Sequence, residues 1–265
     1  MREFFGFGDY TREPEGYFSW QHLVFVSSLM VVMLVAAILL GRAYRGREMT
    51  AKNRVLIWAA ILIDSFELFK IVIFLCRSDD PLDSLTGMLP LFLCSIQLIT
   101  IPLAAFARGR VKEAALDFVF IFGLLGAVMG TYFAGNNYAS YPVLSVDNVV
   151  SGITHAIAGF ASLYVVISGM AKLKTRNIPI TFGILFAFCA AAMVANLTIP
   201  YDDHSCNYMF LMRGDGTPYD IIYNLVGGNP VIYPILVVLL FVIYICAFYL
   251  VYFLIEQKRN RSLAQ

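Results

Sequence analysis

Residues 20–41 read WQHLVFVSSLMVVMLVAAILLG, an unbroken apolar run without a charged side chain. At about 1.5 Å per residue, a helix of this length crosses a hydrocarbon core of about 30 Å. The stretch before it is more acidic than basic, and no small-residue cleavage site follows it, so the run is not typical of a signal peptide. We therefore predict a retained transmembrane helix.

The same pattern recurs six more times along the chain. The predicted spans cover residues 20–41, 52–76, 87–107, 112–134, 147–171, 178–200 and 229–256. Sixty per cent of the 265 residues are apolar and 14% are charged, against roughly 45–50% and about 25% in soluble domains. We predict an all-α polytopic membrane protein, in which residues 1–265 form a single transmembrane domain, a bundle of seven helices.

The basic residues predict the orientation of this bundle. Fourteen of the 19 follow the first, third, fifth and last spans: Arg42, Arg45, Arg47, Lys52, Arg54, Arg108, Arg110, Lys112, Lys172, Lys174, Arg176, Lys258, Arg259 and Arg261. The positive-inside rule then predicts an N-terminus outside the cell and a cytoplasmic C-terminus. With a net charge of +1 and no basic stripe interleaved with aromatic residues, we expect no nucleic-acid partner.

Polar side chains inside the spans are the first candidates for function, because they are costly in a membrane and usually face the interior of the bundle. They are His22, Asp64, Glu67, Lys70, Cys94, Gln97, Asp117, His155 and Asn196. The long outer loop at about 201–228 adds Asn207 and is more polar than a connector requires.

Cys94 and His155 stand out because they lie at similar predicted depth. Counting about 1.5 Å per residue from the outer ends of their helices puts Cys94 ~10 Å and His155 ~12 Å below the outer surface. His155 shares a helix face with Gly152 and Gly159, and small residues on a face favour close helix contact. Cys94 shares its face with Gln97.

A thiol and an imidazole in one layer can form a nucleophilic pair, in which histidine takes the thiol proton and the thiolate attacks an acyl carbonyl. This chemistry needs no cofactor. The candidates for binding substrate or stabilising an oxyanion are Gln97, Asn196, Asn207, His22, Glu67 and Lys70. A membrane cysteine is also an ordinary packing residue, so both interpretations of Cys94 remain open.

Other interpretations compete for the remaining polar residues. Asp64, Glu67 and Lys70 are what a transport or small-molecule binding protein would use along an ion path, and Glu67 with Lys70 also fits a structural ion pair. His22 fits an interfacial anchor. The cysteines show no spacing typical of a zinc site, so we expect no metal. A disulfide between Cys76 and Cys206 stays open, since both belong at the outer surface.

Short motifs along nearly the whole chain carry a family resemblance. Leu89–Ser95, LPLFLCS, resembles the LPLHLC motif of the YwaF-like family of bacterial integral membrane proteins, which is related to transmembrane protein 164 of animals. Further matches in order are Gln21-His22-Leu23, Thr154-His155-Ala156, Asn196, Asn207-Tyr208-Met209-Phe210-Leu211 and Asn229-Pro230. Phe92 stands where the family has a histidine, so a role of that histidine does not carry over.

The resemblance implies a cysteine-dependent lipid acyltransferase or acyl hydrolase that acts on membrane phospholipids near the outer leaflet. Cys94 would be the acylated nucleophile and His155 its general base. It also implies an integral protein of a bacterial cytoplasmic membrane that works without a cofactor.

Overall fold

The computed structural model describes residues 2–201 and 204–263 of the chain, and most of this part is helical. The helices are α1 Arg2–Phe5, α2 Trp20–Tyr44, α3 Met49–Arg77, α4 Pro81–Thr86, α5 Gln97–Phe106, α6 Gly109–Tyr132, α7 Gly135–Ser140, α8 Val146–Ile167, α9 Ile178–Thr198, α10 Tyr219–Leu225 and α11 Ile232–Leu263. Two short strands, β1 Pro200–Tyr201 and β2 His204–Ser205, pair antiparallel.

The predicted span at 87–107 is wrong as a continuous helix. The chain is helical there only from Gln97 to Phe106, and residues 87–96 form turns. Pro90 explains the break, because proline has no N–H to donate and disfavours helical geometry at the residue before it. The other six predicted spans coincide with α2, α3, α6, α8, α9 and α11, with ends that shift by a few residues.

Five helices of the described chain are long and apolar enough to cross a membrane: Trp20–Tyr44, Gly109–Ser140, Val146–Ile167, Thr175–Thr198 and Ile232–Lys258. Helix α3 is as long but carries Asp64, Glu67 and Lys70, and α5 has only 10 residues. The chain is therefore an all-helical protein with five candidate spans. The count of seven and the orientation of the termini stay predictions.

The chain divides into two compact units, Met1–Lys172 and Leu173–Gln265. The prediction of a single transmembrane domain is not tested by this division and stays a prediction. In the first unit, α8 packs against α2, α3 and α6, while α5 packs against α3 and α6. Helices α6 and α8 approach closely because small residues meet between them: a Cβ on Gly123 would lie 2.7 Å from the Ala158 carbonyl oxygen.

The N-terminal segment is tied to the first unit by a buried ion pair. Arg77 at the end of α3 contacts the Asp147 carboxylate through Nη2–Oδ1 at 2.7 Å and Nη1–Oδ2 at 3.0 Å. The Tyr10 hydroxyl also donates to Asp147, and Arg77 Nη1 donates to the Phe5 carbonyl at 3.2 Å. Burial, and then the bond to Asp147, raises the pKa of Tyr10 to about 12, so its hydroxyl stays a donor.

In the second unit, two asparagines organise the loop between α9 and α11. Asn196 accepts from the Tyr208 N–H at 2.7 Å and donates to the Tyr208 carbonyl at 3.1 Å. Asn207 donates to the Arg213 carbonyl at 2.8 Å and accepts from the Met212 N–H at 3.0 Å. Both amides replace backbone hydrogen bonds that an irregular loop cannot make by itself.

Candidate functional site

Cys94 lies at the entrance to helix α5. The Gln97 N–H donates to the Cys94 carbonyl at 3.4 Å and the Leu98 N–H donates to the Ser95 carbonyl at 3.0 Å, so the cysteine lies in the turn that leads into the helix. The thiol is partly buried, and its sulfur lies 3.9 Å from the Ser95 hydroxyl. The N-terminal end of a helix favours negative charge, which suits a cysteine that reacts as a thiolate.

His155 lies on α8, and one hydrogen bond determines which ring nitrogen carries its proton. Nδ1 lies 2.7 Å from the backbone carbonyl oxygen of Ser151, one turn earlier. A carbonyl oxygen can only accept, so Nδ1 is the protonated nitrogen and Nε2 of the neutral ring has a free lone pair. Nε2 is buried and makes no hydrogen bond of standard geometry with any residue that the structure describes.

Two glycines of α6 make room for this pair. A Cβ on Gly130 would lie 1.9 Å from Nε2 and Cδ2 of His155, and a Cβ on Gly126 would lie 3.5 Å from Cα of Cys94. Residues four apart are neighbours on one helix face. The same face of α6 therefore receives the imidazole at one turn and the cysteine at the next.

The two side chains interact with each other. The Cys94 thiol and the His155 imidazole are close enough to act on one another by charge and as hydrogen-bonding partners. Since Nδ1 is occupied by the Ser151 carbonyl, Nε2 is the ring nitrogen left to interact with the thiol. The structure thus brings together a thiol from the turn before α5 and a nitrogen base from α8, the arrangement from which a cysteine nucleophile is activated.

The His22 ring is hydrogen-bonded to the backbone of two other segments. Its Nδ1 accepts from the Phe18 N–H at 3.2 Å, and its Nε2 contacts the Thr131 carbonyl at 3.1 Å. The ring is fully buried, with its centroid 3.8 Å from that of Tyr138. Both nitrogens are occupied, so no ring atom is left for a substrate.

The charged residues of α3 form an ion pair. Lys70 Nζ lies 2.7 Å from Glu67 Oε1, and both side chains are partly buried, whereas Asp64 is exposed. Lys70 also interacts electrostatically with His155. Glu67 neutralises Lys70, which is how a charged pair is accommodated among apolar helices.

Gln97 differs from the other amide candidates. Its side chain is fully buried and its Oε1 accepts from the Thr100 hydroxyl at 3.2 Å, but its Nε2 has no partner among residues 2–201 and 204–263. The amides of Asn196 and Asn207 belong to the second unit and are engaged with the backbone there.

Sequence reasoning missed Ser151 and Gly130, the residues that orient His155. Their spacing carried a signal: Ser151 precedes His155 by one helical turn, and Gly126 with Gly130 forms the small-xxx-small pattern of close helix contacts. The sequence also left a disulfide between Cys76 and Cys206 open, and the described structure has no disulfide bond at these two cysteines.

A family model supports the relationship that the motifs predict. The TMEM164 family model matches residues 17–252, which include Cys94, His155 and Gln97. The chain belongs to the TMEM164 family. No curated protein and no solved structure matches it. The predicted relation to transmembrane protein 164 is confirmed by this TMEM164 family match, while the narrower YwaF-like label stays a prediction.

Proposed function

We propose that this TMEM164 family member is a cysteine-dependent lipid acyltransferase or acyl hydrolase. The observation that carries the proposal is the contact of His155 Nδ1 with the Ser151 carbonyl oxygen at 2.7 Å, which leaves Nε2 of the neutral ring as the base available to the Cys94 thiol. A buried nitrogen with a lone pair is what a thiol needs in order to react as a thiolate. Cys189, in contrast, lies 3.6 Å from the Met209 sulfur, an ordinary packing contact.

In the first half-reaction, Nε2 of His155 accepts the thiol proton and the Cys94 thiolate attacks the carbonyl carbon of an acyl ester. A carbon–sulfur bond forms, and the carbonyl electrons move onto oxygen. When the oxyanion collapses, the carbon–oxygen bond to the leaving alcohol breaks and protonated His155 returns its proton to that oxygen. The products are a Cys94 thioester and a free alcohol.

The second half-reaction reverses these roles. A hydroxyl of an acceptor, or water, approaches the thioester while Nε2 takes its proton. The new carbon–oxygen bond forms, the carbon–sulfur bond breaks, and Cys94 leaves as a thiolate that recovers its proton from His155. With a lipid acceptor the result is acyl transfer, and with water it is hydrolysis.

We assign the substrate to membrane phospholipids and the reaction to the outer-leaflet side of a bacterial cytoplasmic membrane. The support comes from the chain itself: the pair lies against α6, and His155 is part of α8, and both helices belong to candidate membrane spans, so an ester on a long acyl chain meets a compatible environment. The basic residues gather in the predicted cytoplasmic connections, which favours seven spans with the N-terminus outside. Cys94 and His155 then lie in the outer half of the bundle.

Intact-protein mass spectrometry tests the proposal. Purified protein in nanodiscs of palmitoyl-oleoyl phosphatidylcholine and phosphatidylethanolamine should acquire a mass increase of one acyl chain. Neutral hydroxylamine should remove it, because hydroxylamine cleaves thioesters. Peptide mapping should place the adduct on Cys94.

The controls separate Cys94 from the other thiols. Cys94→Ala should acquire no adduct, whereas Cys246→Ala, which changes an exposed cysteine of α11, should acylate like the unmodified chain. Absence of any adduct on the unmodified protein, together with full lipid turnover by Cys94→Ala, would reject the proposal.

A further inference from the structure

The side-chain amide of Gln97 is a buried donor without an acceptor. The residue is 0% exposed, and its Nε2 has no hydrogen-bond partner among the described residues. Buried polar groups are normally paired, and an exception calls for an explanation. Gln97 follows Cys94 by three residues, with its own N–H bonded to the Cys94 carbonyl at 3.4 Å.

The oxygen end of the amide is already engaged. Oε1 accepts from Thr100, three residues further along the same helix face, at 3.2 Å. Cys94 and Thr100 lie on opposite sides of Gln97 along this face, at i−3 and i+3. With Oε1 engaged by Thr100, Nε2 is the end of the amide that keeps its hydrogen-bonding capacity, three residues from Cys94.

The other candidates for stabilising an oxyanion already have hydrogen-bond or ion-pair partners. Glu67 pairs with Lys70 at 2.7 Å, and both ring nitrogens of His22 have partners. The amide nitrogens of Asn196 and Asn207 donate to backbone carbonyls at 3.1 and 2.8 Å. Of these candidates, Gln97 alone has a buried side-chain donor atom that makes no hydrogen bond to any residue of the described chain.

We propose that the Gln97 side-chain amide donates a hydrogen bond to the oxyanion that forms when Cys94 attacks an acyl carbonyl. The inference rests on the proposed function and adds a third residue to its reacting centre. A donor that is already in place needs no reorganisation when charge develops on the oxygen, so it lowers the barrier of the acyl transfer step. It gives no such help to a reaction at sulfur that produces no oxyanion.

This difference supplies the test. Single-turnover acylation of Cys94 by p-nitrophenyl butyrate is measured by release of p-nitrophenol, and alkylation of Cys94 by iodoacetamide is measured on its peptide by mass spectrometry. Acylation passes through an oxyanion, and alkylation is a displacement at carbon that does not. Gln97→Met and Gln97→Leu both remove the donor, and Gln257→Met makes the matched change at an exposed position.

We expect the acylation rate of both Gln97 variants to fall about 10²–10³-fold, the usual loss when one oxyanion donor is removed. Their alkylation rate should stay close to that of the unmodified chain, and Gln257→Met should change neither rate. Acylation at the original rate in the Gln97 variants would overturn the inference. So would a parallel loss of both rates, which would make Gln97 a residue that positions Cys94. An unmodified protein that does not acylate would reject the proposed function itself.

Discussion

Nδ1 of His155 lies 2.7 Å from the backbone carbonyl oxygen of Ser151. The contact joins residues one turn apart on α8, so the helix itself holds the ring in one orientation and one tautomer. The Ser151 hydroxyl lies further from the same nitrogen, at 3.4 Å, and is the weaker partner. Whether the carbonyl or the hydroxyl of Ser151 orients the ring can therefore be tested without changing His155.

We predict that His155→Gln lowers the Cys94 acylation rate about 10²–10⁴-fold, because the thiol loses its general base. Ser151→Ala should acylate within about threefold of the unmodified chain, since the backbone carbonyl remains and only the weaker hydroxyl contact is lost. Both rates can be measured with p-nitrophenyl butyrate. A Ser151→Ala loss as large as that of His155→Gln would contradict this account of the ring.

Gly130→Ala should displace the imidazole, because the added Cβ would lie 1.9 Å from Nε2. We expect acylation to fall about 10²-fold, as for a reacting group moved by about 1 Å. Gly183→Ala in α9 is the matched control, with no atom within 4 Å of the new Cβ. It should keep its melting temperature or raise it, because alanine favours helix by about 0.5–1 kcal/mol over glycine. Equal behaviour of the two variants would show that Gly130 does not confine the ring.

Arg77→Met should strongly destabilise the protein, because it leaves Asp147 buried without its partner. The side chains are only 13% and 4% exposed, and breaking such a pair costs about 3–5 kcal/mol. Arg213→Met is the control, since its contact with Asp215 is equally close but both side chains are 34% exposed, and exposed pairs contribute about 1 kcal/mol or less. Melting temperatures in detergent should fall clearly only for Arg77→Met.

The Glu67→Gln variant distinguishes the proposed enzyme from the alternative function, a transport or small-molecule binding protein. The sequence suggests this alternative through Asp64, Glu67 and Lys70. For an enzyme that uses Cys94 and His155, we expect acylation to fall less than about tenfold, because the change only leaves Lys70 unpaired near the histidine. Cys94→Ser should be severely impaired. The opposite pattern, with Glu67→Gln inactive and Cys94→Ser tolerated, would favour the transport protein.

Much of the helical framework was predictable, because an apolar run of 20 or more residues has few alternatives to a helix. The predicted helix at 87–107 was wrong because of Pro90. A proline interrupts a membrane helix unless neighbouring groups satisfy the backbone hydrogen bonds that it leaves open, and the sequence does not show whether they do. The matched depth of Cys94 and His155 stays a prediction, because the count for Cys94 assumed a continuous helix over 87–107 and the helix begins only at Gln97.

The partners of each polar group were not predictable. His22, Asn196 and Asn207 have the same chemistry as reacting or binding residues, and their engagement with backbone groups depends on loops that apolar patterns do not specify. The sequence did not predict a buried ion pair for Asp147, because this residue lies in the first turn of α8, where an acidic residue is expected beside the helix N-terminus. Its pairing with Arg77 joins residues 70 positions apart.

The bare backbone at Gly130 has a kinetic consequence. With its edge against α6 and Nδ1 bonded to Ser151, the imidazole is held in one orientation, so in the proposed acyl transfer one nitrogen both returns the proton to the departing alcohol and collects it from the incoming one. Donor and acceptor must then occupy the same place in succession. Steady-state rates at varied concentrations of both lipids should give the parallel double-reciprocal lines of a double-displacement enzyme.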